Sequence, residues 1–277
     1  MIVSRRLMLA TLAGFLALSS AWADPCKDLA PTRGQAGKDV IWIPTPEPLV
    51  EKMLNAAKVT AQDKVFDLGA GDGIIAITAA RKFGAQSVGI EYNPKMADYA
   101  RCRAKEAGMD GKVRIITGDI FQEDFSAADV VTLYLLPDLN LRLRPILLKM
   151  KPGTRVVAHA FTMGEWEADE VLTHEYARGY LWIVPAQVAG DWMFTGMEGG
   201  PMRVSLSQTF QSIGGTLTRA SATQMLVGAK LRGSEISFQF STPDKAIHTF
   251  TGRMGDDKIS GTVNSSGLMT PVEAKRL

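Results

Sequence analysis

Two periodicities divide the chain near residue 199. Before it, short apolar runs alternate with stretches whose apolar residues recur at helical spacing. The apolar runs predict buried strands over 64–68, 87–92, 113–119, 129–135 and 155–161. Between them the pattern predicts helices over 74–83, 93–107 and 139–150, and an amphipathic helix over 49–58 ahead of the first strand. Pro94 sits where a first helical turn accepts proline, and Gly108 and Gly111 stop that helix. Strands that alternate with helices predict a parallel, doubly wound α/β sheet. Right-handed crossovers then bring every strand C-terminus to one edge. Residues 180–185 and 190–195 are two more apolar runs around a short Gly-containing link, and they predict an antiparallel hairpin with Trp182 and Trp192 in the core. Beyond 199 helical spacing disappears. Alternating runs at 203–211, 216–218, 224–231, 235–240, 248–253 and 258–263 are separated by Gly- and Asp-rich turns, the signature of an antiparallel meander. The spacing predicts a small sheet or half-barrel. Leu231-Arg-Gly-Ser-Glu-Ile-Ser and Met254-Gly-Asp-Asp-Lys-Ile-Ser-Gly share a loose pattern, a weak internal repeat.

The first strand runs into Asp67-Leu-Gly-Ala-Gly-Asp-Gly73, and a helix follows. Glycine admits close approach of a ligand and positive φ. A helix N-terminus offers free N–H groups and the positive end of a dipole. The pair makes a nucleotide site. Its spacing is Gly-x-Gly-x-Gly, whereas a nicotinamide dinucleotide site has Gly-x-Gly-x-x-Gly, so that reading is the weaker one. The second strand ends in Glu91, which suits ribose hydroxyls. The third ends in Asp119, and the fourth in Tyr134-Leu-Leu-Pro-Asp138.

This ordered set of strand ends resembles the class I S-adenosylmethionine-dependent methyltransferases over roughly residues 40–195. The resemblance implies a Rossmann-like methyltransferase sheet, here followed by a C-terminal antiparallel β region. It implies S-adenosyl-L-methionine as cofactor. Asp67, Gly69, Gly71 and Gly73 would wrap its methionine part, Glu91 would hold the ribose and Asp119 would lie near the adenine. Ile43-Pro-Thr-Pro46 is similar to the Val-Pro-Thr segment of the small protein-lysine methyltransferases of the ATP synthase c-subunit type. That resemblance places Thr45 at the cofactor; the alternative is a proline-rich entry that only packs. Such enzymes receive their acceptor nitrogen at the tip of the fourth strand. Tyr134, Pro137 and Asp138 are therefore the catalytic candidates, with Tyr134 orienting the acceptor. Tyr134 also fits a core aromatic, and Asp138 also fits a cap on the following helix. His159 ends the fifth strand. A lone histidine in an apolar strand reads as a hydrogen-bonded core residue, or as a base if it reaches the pocket. Glu165, Trp166 and Glu167 follow in a loop and fit either an acceptor wall or surface.

Composition adds limits. The chain has 277 residues, 46% of them hydrophobic, and a net charge of +2. That suffices for a sizeable core, and it offers no electrostatic case for nucleic acid. Arg5 and Arg6, an apolar run over 7–18 and Ala21-Trp-Ala23 form a secretory signal pattern over 1–23. Ser4-Arg-Arg-Leu-Met-Leu9 also resembles a twin-arginine signal. The expectation is an exported, periplasmic protein with no membrane span once 1–23 is removed. Its organisation is a polar, Pro- and Gly-containing flexible lead-in over 24–39, a cofactor-binding domain over 40–198 and an all-β domain over 199–277. Cys26 and Cys102 are the two cysteines. After export they could pair, and two free or buried thiols fit equally well. Three histidines and no His/Cys cluster predict no metal site.

The function expected is methyl transfer to a protein lysine or another amine. A small-molecule acceptor fits the same pattern. The other class of reading is a catalytically inactive methyltransferase fold kept for binding, with the β region as its interaction module.

Overall fold

The computed structural model describes residues 26–242 and 245–277; the leader expected over 1–23 lies outside them. A turn of 3-10 helix (Lys27–Leu29) precedes a strap that leads to α1 (Glu47–Ala56). Proline in the first turn of α1 suits its fixed φ. Leu49, Val50, Met53 and Leu54 form the buried face.

Next come β1 (Lys64–Leu68), α2 (Ile74–Phe83), β2 (Gln86–Glu91), α3 (Pro94–Glu106), β3 (Val113–Thr117), β4 (Val130–Leu133), α4 (Pro137–Leu147) and β5 (Arg155–His159). Two glycines in left-handed conformation, Gly73 and Gly84, bound α2. Asn93 caps α3 by accepting from the N–H groups of Lys95 and Met96. Then follow β6 (Glu170–His174), β7 (Ala177–Ile183) and β8 (Gly190–Thr195). The first sheet has the order β3-β2-β1-β4-β5-β7-β6, parallel throughout except for β7. The predicted parallel α/β sheet is thus present. β1 lies between β2 and β4, whose crossovers leave in opposite directions, so a crevice opens at its C-terminal end.

The hairpin predicted from 180–185 and 190–195 does not form. β7 pairs instead with β5 and with β6, a strand that the hydrophobic pattern did not reveal. Its pattern of burial leaves only Leu172 inside, so it carries almost no alternation to read. β8 belongs to the second sheet, pairing with β9 (Met202–Thr209) and with the last strand. The change of sheet therefore falls between Ile183 and Gly190. Trp182 and Trp192 are both fully buried, but in different cores.

The remaining strands are β10 (Ser212–Arg219), β11 (Ala222–Met225), β12 (Val227–Arg232), β13 (Glu235–Ser241), β14 (Ile247–Met254), β15 (Lys258–Ser265) and β16 (Leu268–Arg276). Their sheet runs β11-β10-β9-β8-β16-β15-β14-β13-β12. Its two edge strands follow each other in sequence with Leu226 alone between them, so the sheet must curl back on itself into a barrel. The amide of Gln224 on β11 reaches across to the backbone of Ser241 on β13. Curvature has a local cause. Gly252 and Gly261 face each other across β14 and β15, and the ring of Phe250 covers the space where their side chains would be. The two turns with the loose repeat are the β12–β13 and β14–β15 connections.

The barrel packs on the first sheet at named points. The Ala186 N–H donates to the Gly233 carbonyl, and the Gln211 amide donates to the Glu167 carbonyl. Phe210 stacks on Trp166 with ring centroids 6.3 Å apart.

Candidate active site

A cavity of about 490 Å³ opens at the C-terminal ends of β1, β2 and β4. That volume lies in the usual range for a small-molecule site. Its floor is the turn after β1. Gly69, Gly71 and Gly73 all have positive φ, which L side chains rarely adopt. A Cβ on Gly71 would come within 2.9 Å of the Trp42 ring, so only glycine leaves this cradle open. Gly69 and Gly71 line the cavity. Gly73 does not reach it: it starts α2 and packs against Ala100 of α3.

The acids occupy distinct positions. Asp67, near the end of β1, is 2% exposed. One of its oxygens accepts from the Thr132 hydroxyl at 2.7 Å, and the other has no partner. Burial pushes this carboxyl up to about 7, and the neighbouring charges of Asp72 and Glu91 add to the effect. A buried carboxyl that lines a cavity and has an oxygen without a partner suits a cationic or N–H-bearing ligand. Glu91 accepts from the N–H of Gly71 and the N–H of Asn93, both at 2.9 Å. It therefore braces the glycine turn and, as a residue lining the cavity, keeps further acceptor capacity. Asp119 lines the far end. It pairs with Lys38 at 2.7 Å and accepts from the Phe121 N–H. The Lys38 hydrogen bond holds its carboxyl below the usual range. Asp72, which sequence reasoning did not single out, is gripped by Arg103 of α3.

The other end of the cavity is aromatic. Tyr134, Leu135, Leu136, Leu139 and Phe161 line it. The Tyr134 and Phe161 rings lie 6.4 Å apart and stacked. His159 sits behind Tyr134, ring centroids 3.8 Å apart. Its Nδ1 is 3.0 Å from the Thr45 hydroxyl. Burial lowers its pKa to about 4, so the imidazole is neutral at pH 7. This is the hydrogen-bonded core histidine, and it props both Thr45 and Tyr134. Thr45 lines the cavity, with its hydroxyl turned to His159.

Pro137 and Asp138 are placed elsewhere. Both are exposed on the first turn of α4 and outside the cavity lining. Asp138 makes no capping hydrogen bond, because the chain enters α4 through Leu136 and Pro137. Trp166 is fully buried in the main core rather than at the acceptor wall. Asn140, from the same helix as Asp138, instead donates to the carbonyls of Phe161 and Thr162 and so fixes the Phe161 wall.

The lead-in also differs from expectation. Residues 35–39 form part of the cavity wall, together with Trp42 and Ile43. Lys38 reaches Asp119 and sits 4.7 Å from the centre of the Tyr92 ring. Polar, Pro- and Gly-rich composition resembled a linker; Trp42 beside the prolines was the one local sign of a packed segment. Cys26 and Cys102 are joined in a disulfide that ties the start of this strap to α3.

Known proteins give the same answer as the geometry. The ANTKMT methyltransferase domain matches residues 67–170. A protein-lysine N-methyltransferase from Saccharolobus islandicus is 44% identical over 138 residues, covering 49% of this chain and 86% of that protein. The human lysine N-methyltransferase of the ATP synthase c-subunit is 33% identical over 123 residues, covering 44% of this chain; the chain spans about half of that relative's length, 51%. A crystal structure of an RNA methyltransferase from Salinibacter ruber with S-adenosyl-L-homocysteine superposes with a TM-score of 0.52 at 48% identity, over 53% of this chain and 96% of that one. The cavity's orphaned Asp67 oxygen, glycine cradle and paired strand-end acids fit the same cofactor. The chain belongs to the S-adenosylmethionine-dependent methyltransferases, in the family of the ANTKMT domain and the protein-lysine N-methyltransferases.

Proposed function

We propose that the protein is an exported methyltransferase that transfers the methyl group of S-adenosylmethionine to a protein lysine amine. The observation that carries this reading is the two-ended cavity, with buried acids and a glycine cradle at one end and paired aromatic faces at the other. Bound there, the cofactor supplies a methyl group on a cationic sulfur. Asp67, Glu91 and the turn from Gly69 to Gly71 would hold it, with Thr45 and Asp119 at the margins. The rest of the work is alignment of the amine. Tyr134 and Phe161 offer π faces that suit an alkylammonium and its methylated forms. The Tyr134 hydroxyl is the polar group available to orient the nitrogen. The neutral His159 behind it adds no repelling charge. Relatives named as protein-lysine N-methyltransferases support a protein acceptor. The signal pattern over 1–23 and the Cys26–Cys102 disulfide support export.

The test is transfer of labelled methyl groups from S-adenosylmethionine to periplasmic proteins, followed by acid hydrolysis. Label recovered as methyl-lysine is the expected result. Label confined to RNA or to small amines would overturn the protein-lysine reading. Tyr134→Ala should lower the transfer rate about 100-fold, with affinity for S-adenosylhomocysteine changed less than about threefold. A parallel loss of cofactor affinity would move Tyr134 from the acceptor end to the cofactor end. Cell fractionation with N-terminal sequencing checks export: mature protein should begin at Asp24, and an uncut cytosolic chain would refute it.

A further inference from the structure

The strap over the cavity is anchored at its ends. Cys26 is 1% exposed and Thr45 is 6% exposed, and no side chain between them is buried. Thr45 is held by His159, and Cys26 is bonded to Cys102 of α3. Between these anchors the chain folds on itself. The Gly34 N–H donates to the Trp42 carbonyl, the Trp42 N–H to the Gln35 carbonyl and the Gly37 N–H to the Val40 carbonyl. Its contacts with the body are partly exposed ones, chiefly Lys38 with Asp119 and Tyr92, and Trp42 over Gly71. Exposed ion pairs add little stability. A segment whose apolar side chains are at most partly buried, Val40 against the main core among them, opens at low cost unless something else restrains it. Yet Gln35, Lys38, Trp42, Ile43 and Thr45 all line the cavity.

We propose that the Cys26–Cys102 disulfide keeps this strap closed over the cofactor site, so that the protein binds S-adenosylmethionine tightly only when oxidised. The inference rests on the methyltransferase reading of the cavity. A dithiol reductant delivers two electrons and two protons. The Cys26–Cys102 bond breaks, two thiols form, and the dithiol becomes a cyclic disulfide. The strap then keeps its Thr45 anchor and loses the other. The helix that carries Cys102 also carries Arg103, which grips Asp72 in the glycine turn, so strap and turn share one support. Together with the proposed export, this makes cofactor capture follow entry into an oxidising compartment.

The experiment is calorimetric titration of S-adenosylhomocysteine into the whole oxidised chain, into the same protein reduced with a dithiol, and into the Cys26→Ser/Cys102→Ser variant. Circular dichroism reports the fold in each case. Affinity should fall at least tenfold on reduction and in the variant, and the variant should not respond to the reductant. Trypsin supplies a second readout that does not require the variant to fold. Cleavage after Arg33 and Lys38 should be slow in the oxidised protein with S-adenosylhomocysteine and rapid after reduction. Equal affinity and equal cleavage in the oxidised and reduced protein would overturn the inference. Absence of binding by the folded oxidised protein would instead overturn the cofactor reading on which it rests.

Discussion

Asp67→Asn is expected to weaken cofactor binding roughly 100-fold while making the free protein more stable at alkaline pH. The carboxyl is buried, one oxygen lacks a partner, and its pKa stands at about 7 rather than 3.8. The sign follows from linkage. A raised folded-state pKa means that the fold favours the protonated acid. The stability this gives is complete below about pH 4, is lost as pH rises through about 7, and stays lost above. The gap corresponds to at most about 4 kcal/mol. Asparagine keeps an acceptor for the Thr132 hydroxyl and never ionises. The variant should therefore melt higher than the wild type at pH 8 and close to it at pH 4. Binding should respond in the opposite way. A cationic ligand beside Asp67 needs the ionised carboxylate. Wild-type affinity for S-adenosylmethionine should weaken about tenfold for each pH unit below 7 and level off above it. Asp67→Asn should bind roughly 100-fold more weakly, consistent with loss of a charge-assisted contact. Calorimetric titrations and thermal melts at pH 4, 6 and 8 measure both effects. Unchanged affinity, or a stability gain independent of pH, would show that Asp67 is a structural acid only.

Phe250→Ala should destabilise the barrel strongly. Phe250 is fully buried, packs edge-on to Phe194 at 5.1 Å and lies 4.9 Å from Phe238. Its ring also covers Gly252 and Gly261, the pair that lets β14 and β15 bend. Removing it forfeits the burial and leaves a cavity that backbone glycines cannot fill, at a cost of about 3–5 kcal/mol. Urea denaturation of wild type and variant, followed by near-ultraviolet circular dichroism, would show the midpoint shift. Cofactor affinity at low urea should survive, because none of the described barrel residues lines the cavity. A loss of stability below about 1 kcal/mol would mean that the aromatic cluster is not the barrel's core. Loss of cofactor binding with the fold intact would mean that the barrel supports the site through Phe210 and Trp166.

The legible parts of this protein were those written locally. That Asp67, Gly69, Gly71 and Glu91 gather at one cavity could be read because a strand, a turn and a helix start follow each other within a short stretch. Helix α2 was readable to its bounds, since a left-handed glycine stands at each end. Tyr134 lines the same cavity, as its place after β4 implies. Pro137 and Asp138, its neighbours in sequence, turned out exposed because α4 begins there and rotates them away. Phe161 and Asn140 came together only through the packing of α4 against the segment after β5. Of the strap, residues 35–39 alone were read as a flexible lead-in, because their hold on the cavity, Lys38 with Asp119, is made by a partner distant in sequence.

By itself, then, the sequence determined the order of strands and helices, the doubly wound class of the first sheet and the side on which its acids gather. Those follow from hydrophobic period and from the fixed hand of the crossovers, which are local or universal. Tertiary structure decided which strand β7 and β8 each join, that the nine-stranded sheet curls into a barrel, and which wall closes the cavity. Strand partners are chosen by competition between edges far apart in sequence, and an apolar strand carries no label for one edge over another. The pairing of the two cysteines, which the sequence left open, likewise depended on where α3 placed Cys102 relative to the start of the strap.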